Sequence, residues 1–295
     1  MIVHWLFEPG IWSNAAVRTG TGVGMVVAVV SALVGLFTVM RGQSFAGHAL
    51  ADVATAGGAG AGVIGFSPLA GFVVGSLVGA GAMEAIGVER VRQRDVATGI
   101  VLGGATGLSA LFLYLITLNS SSAGSTQSIL FGSLFSVSNG SFLAIAAVSA
   151  GVCVSLALLG RPLLFVSVSP DAARARGVAV RRVALAYTMV MAITVGLSAV
   201  VIGSVLSTAL LIGPPAAALR LARRMWATLL LAAALGVCGV GFGVVASYDS
   251  FYWWPSHRSL PVSFCVVTVV VVEVLVANVV ARARNRRGTN ASGGA

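Results

Sequence analysis

The sequence predicts an all-α protein, a polytopic bundle of transmembrane helices with eight or nine spans. Three observations carry that prediction. The 295 residues are 58% hydrophobic and 9% charged, with a mean hydropathy of +1.00. A water-facing surface takes about a quarter charged residues, so this chain cannot coat one. Apolar stretches of about 20 residues, enough to cross a ~30 Å hydrocarbon layer, recur along the whole length, and the arginines cluster between them.

Nine hydrophobic segments follow in order. The first, 20–40, is closed by Arg41-Gly42, and the second, 44–65, carries the only His-Asp pair inside an apolar stretch. The third, 68–88, and the fourth, 96–118, flank a connection holding Arg90, Arg92 and Arg94. Gly71, Gly75 and Gly79 repeat every four residues, as do Gly99, Gly103 and Gly107. Such rows form ridges without side chains, on which a neighbouring helix packs closely. The fifth segment, 139–160, follows an uncharged connection over 119–138. The sixth, 183–203, follows a connection with Arg161, Arg174, Arg176, Arg181 and Arg182. The seventh, 205–219, is short enough to be a tilted, broken or re-entrant piece, and it decides between eight and nine spans. The eighth, 225–247, starts beyond Arg220, Arg223 and Arg224 and ends at Tyr248, Phe251, Tyr252, Trp253 and Trp254, an interfacial aromatic belt. The ninth is 261–281.

Arginine placement orients the bundle. With Arg41 and the tail residues Arg282, Arg284, Arg286 and Arg287, the alternate connections hold 16 of the 18 arginines, and basic connections lie in the cytoplasm. Nine crossings put the N-terminus outside and the C-terminus inside. The chain therefore reads as an extramembrane segment 1–19, a transmembrane domain 20–281, and a basic cytoplasmic tail 282–295. Beyond Arg287 the tail is rich in Gly, Ser and Asn and is expected to be disordered. Residues 1–20 lack a basic n-region and include Glu8, so they do not read as a cleavable signal peptide.

Composition also excludes functions. All 18 basic residues are arginine, so no P-loop lysine exists and nucleotide energy must come from another subunit. The net charge of +10 is accounted for by helix ends, not by a nucleic-acid surface. Cys153, Cys238 and Cys265 lie apart in apolar segments with no CxxC spacing and read as small buried hydrophobes. No GxSxG or HExxH is present to suggest an intramembrane enzyme.

Polar groups inside apolar segments are costly in lipid and mark function by default. In Gly47-His48-Ala49-Leu50-Ala51-Asp52, the His and Asp are four apart and share a helix face. Imidazole with carboxylate suits zinc, manganese or ferrous iron. Spacing alone leaves two readings open: a metal site, or a neutral His bonded to Asp that holds helices together. One His and one Asp cannot complete a metal site, but a symmetric dimer doubles them. Glu273 is the second intramembrane carboxylate, either a ligand or relay or a satisfied packing residue. Glu84 is near a cytoplasmic end and can snorkel; His4 and His257 fall in exposed stretches, the latter near Asp249.

Ser169-Pro170-Asp171-Ala172-Ala173-Arg174-Ala175-Arg176-Gly177 has the signals of a short capped helix. Ser169 is an N-cap, Pro170 suits the first turn, and Asp171 favours the positive helix end. Arg174 and Arg176 suit the other end, and Gly177 stops it. A short rigid cytoplasmic helix is what a permease would use to receive force from a motor subunit; an interfacial helix without a partner is the alternative.

Four stretches then match a known pattern in order. Met40-Arg41 through Ser44-Phe45-Ala46-Gly47-His48-Ala49-Leu50-Ala51-Asp52 is followed by Leu130-Phe131-Gly132-Ser133-Leu134. Ser169-Pro170-Asp171 through Gly177-Val178 is followed by Gly203-Ser204 through Ser207-Thr208-Ala209-Leu210-Leu211-Ile212-Gly213-Pro214-Pro215-Ala216-Ala217. Over roughly residues 20–280 the chain resembles the membrane-spanning permease subunit of ABC importers for zinc, manganese or iron ions. Two departures stand out: the family has Asp before His, here exchanged to His48 and Asp52, and Ser133 stands at an acidic position.

The resemblance implies a homodimeric permease without its own nucleotide site or bound cofactor, in the cytoplasmic membrane of a prokaryote. It implies a cytoplasmic ATP-binding subunit, with ATP bound there, and an extracytoplasmic metal-binding protein. The transported divalent ion would meet His48 and Asp52 in transit, and residues 169–177 would couple to the ATPase. A secondary carrier using Asp52 and Glu273 as ion sites, or a non-transporting scaffold, are the rival expectations. Inverted repeats, which a carrier would show, are not evident.

Overall fold

The computed structural model describes residues 14–85, 91–119, 128–132, 134–136, 139–253 and 259–292. It is all helical there. The helices are α1 Ala15–Met40, α2 Ser44–Val63, α3 Pro68–Ala85, α4 Val91–Asn119, α5 Asn139–Val168, α6 Pro170–Ala175, α7 Val180–Ile202, α8 Ser204–Leu221, α9 Met225–Trp253 and α10 Val262–Ser292. Every expected hydrophobic segment falls on one of the nine long helices. Among the described residues, seven of these helices are long and apolar enough to cross a membrane: α1, α3, α4, α5, α7, α9 and α10. The expectation of nine spans exceeds that number by α2 and α8, and that of eight by one of them; both are rich in small or polar residues and Gly or Pro.

Burial separates centre from periphery. The apolar stretches of α1 and α7 are 67% buried, against 17% for α4. α2, α3 and α4 pack together on one side of this centre, and α8, α9 and α10 on the other. Both groups touch α1 or α7, and α5 lies against α1 and α7. Inside, hydroxyls pair across helices because lipid offers no partner. Ser31 and Ser198 stand 2.6 Å apart between α1 and α7, and the Tyr187 hydroxyl donates to Val34 O at 2.9 Å.

Glycine sets how closely the helices approach. A Cβ at Gly57 would run into the backbone of Gly71 and Gly75, and Gly79 lies against Val53, so the α3 row packs on α2 as its spacing predicts. The α4 row does not: among the described residues, Gly99, Gly103 and Gly107 face no neighbouring atom within 4 Å. Spacing reveals a smooth ridge but not whether the chain supplies something to cover it, and here the ridge lies on the exposed side of α4.

The short seventh segment begins at a buried break. Gly203, at φ +101°, ends α7 and caps α8, and Gly132, at φ +81°, packs directly against it. Both conformations belong to glycine: a side chain on Gly132 would overlap the backbone of Ile202 and Gly203, and one on Gly203 that of Leu130 and Phe131. Ser263, opening α10, touches the carbonyls of Phe131 and Ile202, the latter at 2.7 Å. The stretch Leu130–Gly132 thus roofs the α7–α8 break.

Two further expectations are corrected. α10 runs to Ser292, so the last helix continues through the basic stretch and past Arg287 into the tail expected to be disordered. Ala281 to Arg287 is dominated by Ala and Arg, strong helix formers, and nothing before Gly288 interrupts them. Cys238 is exposed on α9, Cys153 is partly buried, and only Cys265 is the buried hydrophobe expected of all three. All three are free thiols. His4, Glu8, Arg90, Ser133, Trp254 and His257 lie outside the described residues.

Candidate functional site

α2 is held between α3 and α4 on one side and α7 and α8 on the other, so its polar face looks into a seam between the two helix groups. His48 and Asp52 are both half-buried there. His48 Nδ1 lies 3.1 Å from Thr208 Oγ1 on α8. Asp52 Oδ2 lies 3.4 Å from Thr106 Oγ1 on α4. Helical spacing places the pair on one face, and the structure adds that their partners come from opposite flanks.

The two contacts differ in strength. Thr106 has one hydroxyl proton, and its contact with Leu102 O is much shorter, at 2.6 Å. The Asp52 carboxylate is therefore held loosely. Backbone holds it better: Ser109 Oγ donates to the Asp52 carbonyl at 3.2 Å, fixing α2 against α4 at this level. His48 has a single hydroxyl partner on one ring nitrogen, leaving Nε2 as the other edge of the ring.

Glycine explains how α2 comes so near. A Cβ on Gly47 would strike Leu211 of α8, and one on Gly35 would overlap the Leu211 carbonyl. The segment before His48 therefore seats α2 and α1 together on α8.

Glu273 is elsewhere. It sits on α10, beside Gly239 of α9, and α10 packs on α8 and α9. One of its carboxylate oxygens is buried without a hydrogen-bond partner. The structure does not bring it to His48 and Asp52. Among the described residues no group of three or more His, Cys, Asp or Glu could hold a metal ion.

Below His48, a cavity of about 100 Å³ opens among α2, α3, α4 and α7, lined by Arg41, Gln43, Glu84, Asp95, Thr98 and Thr188. Glu84 is 3.8 Å from Arg181, so the expected snorkelling carboxylate has a basic neighbour.

The capped segment forms as its sequence prescribes. Ser169 accepts from Ala172 N at 3.4 Å, Pro170 opens α6, and Asp171 pairs with Arg174 at 2.7 Å. Arg176 lies over the Phe165 ring at 5.5 Å, and Gly177 takes φ +77°. Ala173 is the one residue of α6 that is buried, which leaves most of this helix open to a partner.

Thr208, Thr106 and Ser109 were not singled out as site residues by the sequence. Thr208 lies within a stretch that carries the resemblance, but nothing in the sequence brings α8 to α2.

A family model for the ABC 3 transport family matches residues 14–280, nearly the whole chain. The chain belongs to the ABC 3 transport family. Among curated relatives of this family member, the manganese import system permease protein ScaB of Streptococcus parasanguinis is 29% identical over 224 residues. That match covers 76% of this chain and 78% of the relative. The chelated iron transport system membrane protein YfeC of Yersinia pestis is 29% identical over 232 residues, covering 78% of this chain and 76% of the relative. A chain in the structure of PsaBC from Streptococcus pneumoniae in complex with Fab superposes with a TM-score of 0.75 at 23% identity. It covers 94% of this chain and 95% of the other, so the two share one fold over nearly their whole length.

Proposed function

We propose that this ABC 3 family chain is the permease subunit of an importer for a divalent transition-metal ion, manganese, iron or zinc, driven by a separate ATPase. The observation that carries the reading is the His48–Asp52 pair. An imidazole and a carboxylate one helical turn apart sit at a seam between two helix groups, in a fold whose named relatives handle manganese and chelated iron.

The ion is cargo, so the site must bind and let go. Two ligands from one copy are too few for tight binding, and a symmetric second copy would supply two more. The open face of α4, with its uncovered glycine row beside the Asp52 contact, supports a homodimer closing there. When His48 donates from Nδ1 to Thr208, its Nε2 lone pair faces the ion, the arrangement in which an outer hydroxyl fixes an imidazole ligand. Asp52, loosely held, turns to the ion without breaking a strong bond. Exchanging the order of His and Asp keeps both ligand types on one face and alters only their depth.

Nine crossings, with α2 and α8 completing the seven apolar helices, put the arginine-rich ends and α6 in the cytoplasm of the inner membrane. The ATP-binding subunit docks on α6, an extracytoplasmic metal-binding protein delivers at the opposite face, and Glu273 stays outside the ion's path.

The test is uptake of radiolabelled manganese, iron and zinc by cells lacking their own importers, expressing this chain with its ATPase and binding protein. Accumulation of one metal, abolished by His48→Ala or Asp52→Ala at unchanged membrane abundance, is the expected result. A wild-type complex that hydrolyses ATP yet moves none of the three metals would sink the reading.

A further inference from the structure

Tyr187 is the largest fully buried side chain among the described residues, and it lies two turns into α7, the helix that follows the α6 segment. Its hydroxyl stands 2.6 Å from Thr38 Oγ1 and donates to Val34 O at 2.9 Å, both on the last turns of α1. Its ring carries the Arg41 guanidinium at 5.2 Å and meets Phe37 edge-on. Arg41 in turn donates from Nε to Gln43 Oε1 at 3.2 Å, and Gln43 N donates to Thr38 O at 2.9 Å. Gln43 is the N-cap position of α2, one turn before His48.

These contacts form one continuous chain: α6, the Gly177 turn, α7, Tyr187, the α1–α2 turn, His48. A tyrosine whose ring alone were needed for packing would do as phenylalanine. Here the hydroxyl instead sits in a pair of hydrogen bonds to the last turns of α1, which lead through Arg41 and Gln43 into the start of α2. A buried polar pair has two discrete states, made or broken, and transmits position in a way that a deformable apolar contact does not. Small displacements of α6 therefore need not dissipate in α7.

We propose that Tyr187 is a positioning residue whose hydroxyl ties α7 to the end of α1 that leads into α2, so that movement of α6 resets His48. This rests on the reading that α6 receives force from an ATPase.

The test uses the full complex with ATPase and binding protein in proteoliposomes. Tyr187→Phe keeps the ring under Arg41 and removes only the hydroxyl; Thr38→Val removes the partner's hydroxyl at similar volume. Each variant is expected to keep ATP hydrolysis and to lower metal moved per ATP by about fivefold or more, the range of an ordinary coupling free energy. The double variant is expected to be no worse than either single one, since both remove the same link. A second readout does not depend on the cargo. Phe45→Cys, in a chain whose native cysteines are replaced by alanine, is labelled with a water-soluble maleimide before and after vanadate trapping of the ATPase. Trapping is expected to change the labelling rate in the parent and to leave it nearly constant with Tyr187→Phe. Equal changes in parent and variant would overturn the proposal even if the complex proved to move no metal. So would an unchanged ratio of metal to ATP.

Discussion

His48 Nδ1 and Thr208 Oγ1, separated by 160 residues in the chain, stand 3.1 Å apart across the α2–α8 seam. This contact makes the site a product of two helices and not of one motif. It gives Nδ1 a hydroxyl partner and leaves Nε2 as the other edge of the ring.

Thr208→Val keeps the shape and removes the hydroxyl. The expected outcome is a rise of about ten- to a hundredfold in the metal concentration for half-maximal uptake, with a smaller change in maximal rate, the usual cost of losing an outer partner of a metal-binding His. Concentration-dependent uptake at matched abundance checks it. An unchanged half-saturation point would mean that Thr208 only packs.

Exchanging the pair, His48→Asp together with Asp52→His, restores the Asp-then-His order. Because the residues share a helix face, the double variant is expected to retain more uptake than either single variant with its duplicated ligand. Uptake by the three variants side by side decides this, and a double variant as inactive as the worse single one argues that depth, not ligand type, governs the site.

Gly35→Ala places a methyl against the Leu211 carbonyl, and Gly57→Ala does so against the α3 backbone. Each is expected to destabilise the bundle by about 1–3 kcal/mol, the range for overpacking a close contact. Thermal unfolding in detergent reads the loss. Gly103→Ala meets no atom of a neighbouring helix among the described residues, so the monomer should tolerate it. If it lowers dimer yield while leaving the monomer's unfolding temperature unchanged, the α4 ridge is the contact between copies.

Removing the α6 cap with Ser169→Ala costs about 1 kcal/mol of local helix stability, since Ala172 N loses its acceptor. The expected effect is weaker co-purification with the ATPase at normal membrane abundance. Full retention of the ATPase would place the docking surface elsewhere.

Much of the architecture is legible in the sequence because a bilayer imposes a one-dimensional rule. Helices must be about 20 apolar residues long, and basic connections stay on one side. The cap of α6 is equally legible, because Ser169, Pro170 and Gly177 act within one or two turns. The site is only half legible. His48 and Asp52 declare themselves by spacing, but Thr106, Ser109, Thr208 and Tyr187 are ordinary residues until helices from distant parts of the chain meet. Hydroxyls are common in membrane helices and satisfy themselves on their own backbone, as Thr188 does on Ala184 O, so composition cannot single out those that reach across.

What the sequence determined by itself is everything that depends on local periodicity and transfer energy: an all-helical membrane chain, its helix positions, and the facing of His48 with Asp52. What only the tertiary structure decided is which faces meet. It covered the Gly71–Gly79 row and left the Gly99–Gly107 row open, kept Glu273 away from the His48 seam, and buried the break at Gly203 beneath Leu130–Gly132. The physical reason is that, with lipid as apolar as the side chains, helix pairing is chosen by close packing and a few interhelical hydrogen bonds, and both are properties of pairs of surfaces rather than of any one segment.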